Sequence, residues 1–156
     1  MVMGGGLLWA ESLPQGIALE ASLWNMMGGR ILRVTQNGRL DFFEMGRGGD
    51  SEKLVKTTKL SRKSREKLFR LSRKSSTPVT QEMIDQELKN HPRCEGLADG
   101  DTLTVRVSRA GEAVRVYWSN CYPVCGEDAQ GLLQHLHELV MKEKPKTDFW
   151  GVFSIK

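Results

Sequence analysis

A chain of 156 residues with 39% hydrophobic and 27% charged side chains is long enough to bury one core without staples. That composition excludes wholesale disorder, and no apolar run approaches the roughly 18 residues that a membrane-spanning helix needs. The net charge of +4 is unevenly laid out: residues 53–74 hold ten Lys or Arg against Glu66 alone, so this segment carries +9 and the remainder −5.

The opening MVMGGGLLWAES has a short apolar stretch but no basic residue before it, and three glycines interrupt it. Residues 1–16 are therefore expected to be a flexible N-terminus rather than a signal peptide. In residues 17–24, IALEASLW, weak alternation favours an edge strand, with a short helix through Ile17, Ala21 and Trp24 as the alternative. The stretch RILRVTQNGRLDFFE (30–44) reads as a hairpin: Leu32 and Val34 alternate with Arg33 and Thr35, and Leu40 and Phe42 with Asp41 and Phe43. Parity selects the turn. A two-residue Asn37-Gly38 loop would set Val34 opposite Asp41, whereas a three-residue Gln36-Asn37-Gly38 loop pairs Val34 with Leu40 and keeps the apolar faces together.

After the linker GRGGDSE (46–52), the segment LSRKSREKLFRLSRKS is helical in pattern, with Ser61 as N-cap and a thin stripe through Ser64, Leu68 and Leu71. A further helix, roughly 78–90, turns Met83, Ile84 and Leu88 inward and ends before His91-Pro92. The second hairpin, LTVRVSRAGEAVRVYW (103–118), repeats the phrase of the first. Leu103, Val105 and Val107 are answered by Val114, Val116 and Trp118 across an even-numbered loop, Arg109 to Glu112. The closing helix carries an unbroken stripe of Ala129, Leu132, Leu133, Leu136, Leu139 and Val140, with His135 and His137 on its polar side and Pro145 as its stop. Residues 145–156 form a tail, apolar and β-prone in DFWGVFSIK.

One helix cannot cover four strands, so the economical assembly is a single α+β domain over residues 17–144. Two ββα units join edge to edge into a four-stranded antiparallel sheet, five-stranded if residues 17–24 contribute, with the helices on one face.

Candidate chemistry is sparse. His91 and Cys94 with Cys121 and Cys125 read H-x2-C and C-x3-C, enough ligands for a zinc. The spacing is not that of C-x2-C knuckles, and a disulfide with one thiol left over, or free buried thiols, fits as well. The expectation is no metal and no cofactor. No nucleophile elbow, phosphate loop or H-E-x-x-H is present, which points away from an enzyme. Two surfaces remain. By parity, Phe43 and Tyr117 stand at matching places on the open sheet face among Arg33, Arg106 and Arg115, a set suited to anchoring a protein partner. Alternatively, the basic segment 53–74, through Lys63, Arg65, Lys67 and Arg70, offers an anionic ligand such as nucleic acid a row of cations.

The ββα–ββα plan, with a hairpin running from Asp101 through Val105 and Val107 and a leucine-rich closing helix, resembles the emfourin-like small bacterial proteins, known for inhibitors of thermolysin-like metalloproteases. The resemblance spans roughly residues 30–142 and is one of pattern. The basic segment, the inserted helix and the NCYPVC loop depart from it. It implies a non-enzymatic protein-binding domain, with protease inhibition as the narrower expectation.

Overall fold

The computed structural model describes residues 12–25, 28–46, 52–91, 102–120 and 122–143. Expectations for residues 1–11, for the tail and for Cys94 and Cys121 lie outside them. The described residues form β1 (Ile17–Asn25), β2 (Gly28–Thr35), β3 (Arg39–Met45), β4 (Glu52–Lys59), α1 (Arg62–Lys74), α2 (Gln81–Asn90), β5 (Thr102–Arg109), β6 (Glu112–Ser119), β7 (Pro123–Cys125) and α3 (Gln130–Glu143). The fold is α+β, and all strands join one antiparallel sheet in the order β4-β3-β2-β1-β5-β6-β7.

Both hairpins lie in this sheet, but they are not neighbours. Residues 17–25 do form a strand, and it sits at the centre rather than the edge, bonded to β2 on one side and β5 on the other. The sheet has seven strands, not four or five. β4 and β7 went unread because an exposed, lysine-bearing edge strand and a three-residue strand carry almost no apolar period. A duplication of ββα units is not established. Each hairpin continues into a further strand before its helix, and the two turns differ.

The first turn is the three-residue loop that parity required, with Gly38 at φ +88° and Val34 opposite Leu40. In the second, Arg109 pairs with Glu112, so the loop is Ala110-Gly111 alone, with φ of 50° and 84°, the geometry of a type I′ turn. Its register then breaks. Arg106 pairs with Arg115 but Val105 pairs with Tyr117, so Val116 is the extra residue of a β-bulge. Val116 and Tyr117 both turn to the core, and beyond them the parity of β6 is reversed. Tyr117, expected on the open face, is only 5% exposed and packs in the main core, while Trp118 takes the open face.

The main core lies between the sheet and two helices. Leu19, Ala21 and Leu23 of β1, Leu32 and Val34 of β2, Phe42 of β3 and Val105 and Val107 of β5 meet Leu68 of α1 and Leu132, Leu133 and Leu136 of α3. Helix α1 starts where expected, with Ser61 Oγ accepting the Ser64 amide at 3.1 Å. Helix α2 begins at Gln81 behind a Thr80 cap and does not join the other two. Its Ile84 packs with Val79, Val124 and Trp118 in a second, smaller core on the opposite face, so the helices are not all on one side.

His135 also departs from expectation, because it faces α1. It is 7% exposed, and its Nε2 lies 3.3 Å from both the hydroxyl and the carbonyl oxygen of Ser64. Its Nδ1 is buried without a hydrogen bond, with Glu138 at 3.8 Å. Burial lowers its pKa, the Lys67 charge adds to that, and Ser64 and Glu138 oppose it.

Two outcomes follow from this packing. Tyr117→Ala should lower folding stability by about 3 kcal/mol in chemical denaturation, as loss of a buried aromatic does, rather than act only on binding. Because the folded state holds His135 below its ordinary value of 6.5, the unfolded chain protonates first. Stability should therefore be full above that value and decline as pH falls from it towards the lowered folded-state value. His135→Gln should flatten that part of the stability–pH curve.

Candidate binding groove on the open sheet face

Opposite the main core, one row of side chains crosses six strands. Thr57 of β4, Asp41 of β3, Arg33 of β2, Glu20 of β1, Arg106 of β5 and Arg115 of β6 are successive register partners. The strand period sends all of them outward, and their charges are placed to match. Glu20, 5% exposed, accepts from Arg33 Nε at 2.8 Å through Oε2 and from Arg106 through Oε1. The terminal nitrogens of Arg33 donate to both oxygens of Glu52, at 2.7 and 2.6 Å. Asp41 accepts from Thr57 Oγ1 at 2.5 Å and from Arg39 Nε at 3.0 and 3.1 Å.

Hydrogen bonds that Arg33 donates to Glu52, then to Glu20, raise its pKa against the cost of burial, and the Arg33 contact lowers that of Glu52. The guanidinium carbon of Arg33 also stands 5.0 Å from the centre of the Phe43 ring.

The neighbouring rows carry apolar side chains beside the small hydroxyls of Ser22 and Thr104. Ile31 lies between Phe43 and Ser22, and Ser22 leads through Thr104 to Trp118. Trp24 lies over Gly29, where a Cβ would come within 2.7 to 2.8 Å of indole carbons, so the glycine is what lets the ring lie flat on the sheet. Charged and apolar rows together floor a groove of about 1040 Å³.

One wall is the connection between α1 and α2. β7 covers only Tyr117 to Ser119, which leaves the first half of β6 as a sheet edge, and residues 75–80 pass there. The Val79 amide donates to the Arg115 carbonyl at 2.8 Å, and Arg115 Nε donates to the Val79 carbonyl at 3.0 Å. The Asp128 carboxylate holds the same segment through the amides and hydroxyls of Ser76 and Thr77, at 2.9 to 3.1 Å. Against the cost of its own desolvation, those four bonds lower the Asp128 pKa. Arg109 reaches the carbonyls of Ser72 and Ser75 at the end of α1. This wall is fixed.

Of the side chains expected on this face, Phe43, Arg33, Arg106 and Arg115 are brought together there and Tyr117 is not. Glu20, Ile31, Trp24 and Trp118 were missed. Parity along β1 links Glu20 to Trp24, whereas no local signal shows the bulge that turns Trp118 outward. Arg115 is the exception in the charged row. Beyond the Val79 carbonyl, no acceptor among the described residues takes a bond from its terminal nitrogens. Burial and the neighbouring Arg106 both lower its pKa.

On the other surface, Lys63, Lys67, Arg70 and Lys74 form an exposed stripe along α1, in which Glu66 is tied to Arg62 at 3.1 Å. Arg65 stands apart: it packs over Gly38 and reaches the Asn37 carbonyl at 3.4 Å. Cys125 is a free thiol whose pKa is raised by burial, and no group of three or more His, Cys, Asp or Glu among the described residues is placed to hold a metal. Comparison with protein-family models and with curated proteins gives no match.

If the charged row is structural as well as superficial, Glu20→Gln should cost about 3 kcal/mol by urea denaturation, because it removes the buried carboxylate that Arg33 and Arg106 share. Glu52→Gln, at the exposed end, should cost less than about 1 kcal/mol.

Proposed function

We propose that the protein is a non-enzymatic protein-binding domain that takes its partner in the groove of the open sheet face. The observation that carries this reading is the pairing of an apolar floor, flanked by Trp24 and Trp118, with arginines whose side chains are already fixed. Tryptophan and arginine are the side chains most often found as interface anchors. Holding them in place before contact removes much of the ordering cost that binding otherwise carries. The narrower expectation of metalloprotease inhibition rests on the resemblance of pattern alone.

A second reading has its own observation. The stripe Lys63–Lys67–Arg70–Lys74 runs about 16 Å along α1, at 1.5 Å per residue, and faces solvent. A polyanion such as nucleic acid fits that geometry, with Lys53, Lys59 and Arg73 nearby in sequence and equally exposed.

The two readings separate in one set of measurements. Capture from the native host should yield a protein that binds the wild-type chain and the Lys63→Ala, Lys67→Ala double variant alike. That protein should be lost, or bound at least about tenfold more weakly, with Trp24→Ala. Its affinity should change little between low and moderate salt. Binding to a mixed-sequence oligonucleotide that falls steeply with salt and is lost in the lysine double variant would favour the second reading.

A further inference from the structure

We infer that the groove receives an extended, largely apolar peptide segment carrying one acidic side chain, whose carboxylate pairs with Arg115. This inference rests on the protein-binding reading and deepens it.

The argument begins with charge. Three arginines, Arg33, Arg106 and Arg115, and two glutamates, Glu20 and Glu52, line the groove. Glu20 serves Arg33 and Arg106, and Glu52 gives both oxygens to Arg33. Among the described residues the groove is thus left with one cation lacking a counter-ion, and that cation is Arg115. Its position is set rather than adventitious, because Nε is held by the Val79 carbonyl on a segment itself clamped by Asp128. The remaining edge of the guanidinium is available for the paired N–H contacts that suit a carboxylate. Arg106 lies directly across the ladder, and its positive charge adds to that of Arg115. An arriving carboxylate would offset the desolvation cost of the Arg115 charge and its repulsion by Arg106.

The surroundings define the rest of the ligand. Trp118, Val79 and Pro78 lie on the Arg115 side, and Ile31, Trp24 and Met45 continue away from it. A charge flanked by apolar surface matches an acidic residue among aliphatic or aromatic ones. From Glu52 on β4 to Arg115 on β6 the groove crosses five inter-strand spacings, about 24 Å, which is the length of about seven extended residues. A small carboxylic acid would fill only one end.

The test uses the intact chain and an array of heptapeptides, each with one Asp or Glu among Leu, Ile, Phe and Trp, beside the same peptides with Asn or Gln in place of the acid. The expected result is retention of acidic heptamers over their amide counterparts by about tenfold in fluorescence anisotropy. In Arg115→Gln that preference should vanish, in Arg115→Lys it should persist in reduced form, and in Lys63→Ala it should be unchanged. Circular dichroism and thermal melting identify any variant that has lost its fold, and the preference of the wild-type chain for acid over amide needs no variant at all. Equal binding of acid and amide peptides, abolished by Trp24→Ala, would overturn the Arg115 anchor and leave the protein-binding groove standing. A preference that survives in Arg115→Gln would assign the carboxylate to another cation and overturn the inference. If no heptamer binds, the inference also fails, while the protein-binding reading is judged separately by the captured partner.

Discussion

The constraint on which the rest of the structure depends is the carboxylate of Glu20, buried on the central strand. A charge withdrawn from water must be paired, and Glu20 is paired on both sides, with Arg33 of β2 and Arg106 of β5. Those two bonds join the hairpins through β1. They also fix register: a slip of one residue on either side would send an arginine into the Leu-rich core and a leucine into the groove. The apolar face alone would tolerate a slip of two residues far better. The ion pairs help to discriminate against it.

The bulge in β6 has an effect out of proportion to its one residue. By placing Val116 and Tyr117 on the same side, it adds an aromatic ring to the core beneath α1 and α3 and moves Trp118 to the other face. At the same point, the Arg115 carbonyl and side chain receive the α1–α2 connection. One irregularity thus supplies a core residue, a groove residue and the docking point of the groove wall. The small second core under α2 follows, since Trp118 could not meet Val79, Ile84 and Val124 without the reversal.

The sheet also differs at its two ends. β4 is a long edge with Leu54 and Val55 exposed, but Val55 is an unpaired bulge residue, and Lys53, Lys56 and Lys59 interrupt the strand. Those features oppose edge-to-edge association. Lys56 also reaches Glu143 at the end of α3, tying the last helical turn to that edge. At the opposite end, β7 is short, and the 75–80 connection covers what it leaves open. The groove between them is bounded by ordered backbone on the β6 side and by the Arg33–Glu52 pair towards β4.

What the sequence determined by itself was local. The alternation of Leu32, Val34, Leu40 and Phe42 marked the first hairpin and favoured its three-residue turn, because parity rejects the two-residue Asn37-Gly38 loop. The stripe from Ala129 to Val140 fixed α3, and Ser61 marked the start of α1. The same parity put Phe43, Arg33, Arg106 and Arg115 on one face. Only the tertiary structure decided the remainder. β1 became central because, besides its sequence neighbour β2, the distant strand β5 paired with its other edge, which no window of residues records. Tyr117 and Trp118 exchanged faces because a bulge costs one residue of register without altering composition. His135 was drawn inward because α1 supplied Ser64 opposite it. Among the described residues Arg115 was left without a counter-ion because Glu20 and Glu52 were both committed elsewhere, an outcome of pairing across the sheet rather than of any spacing along the chain.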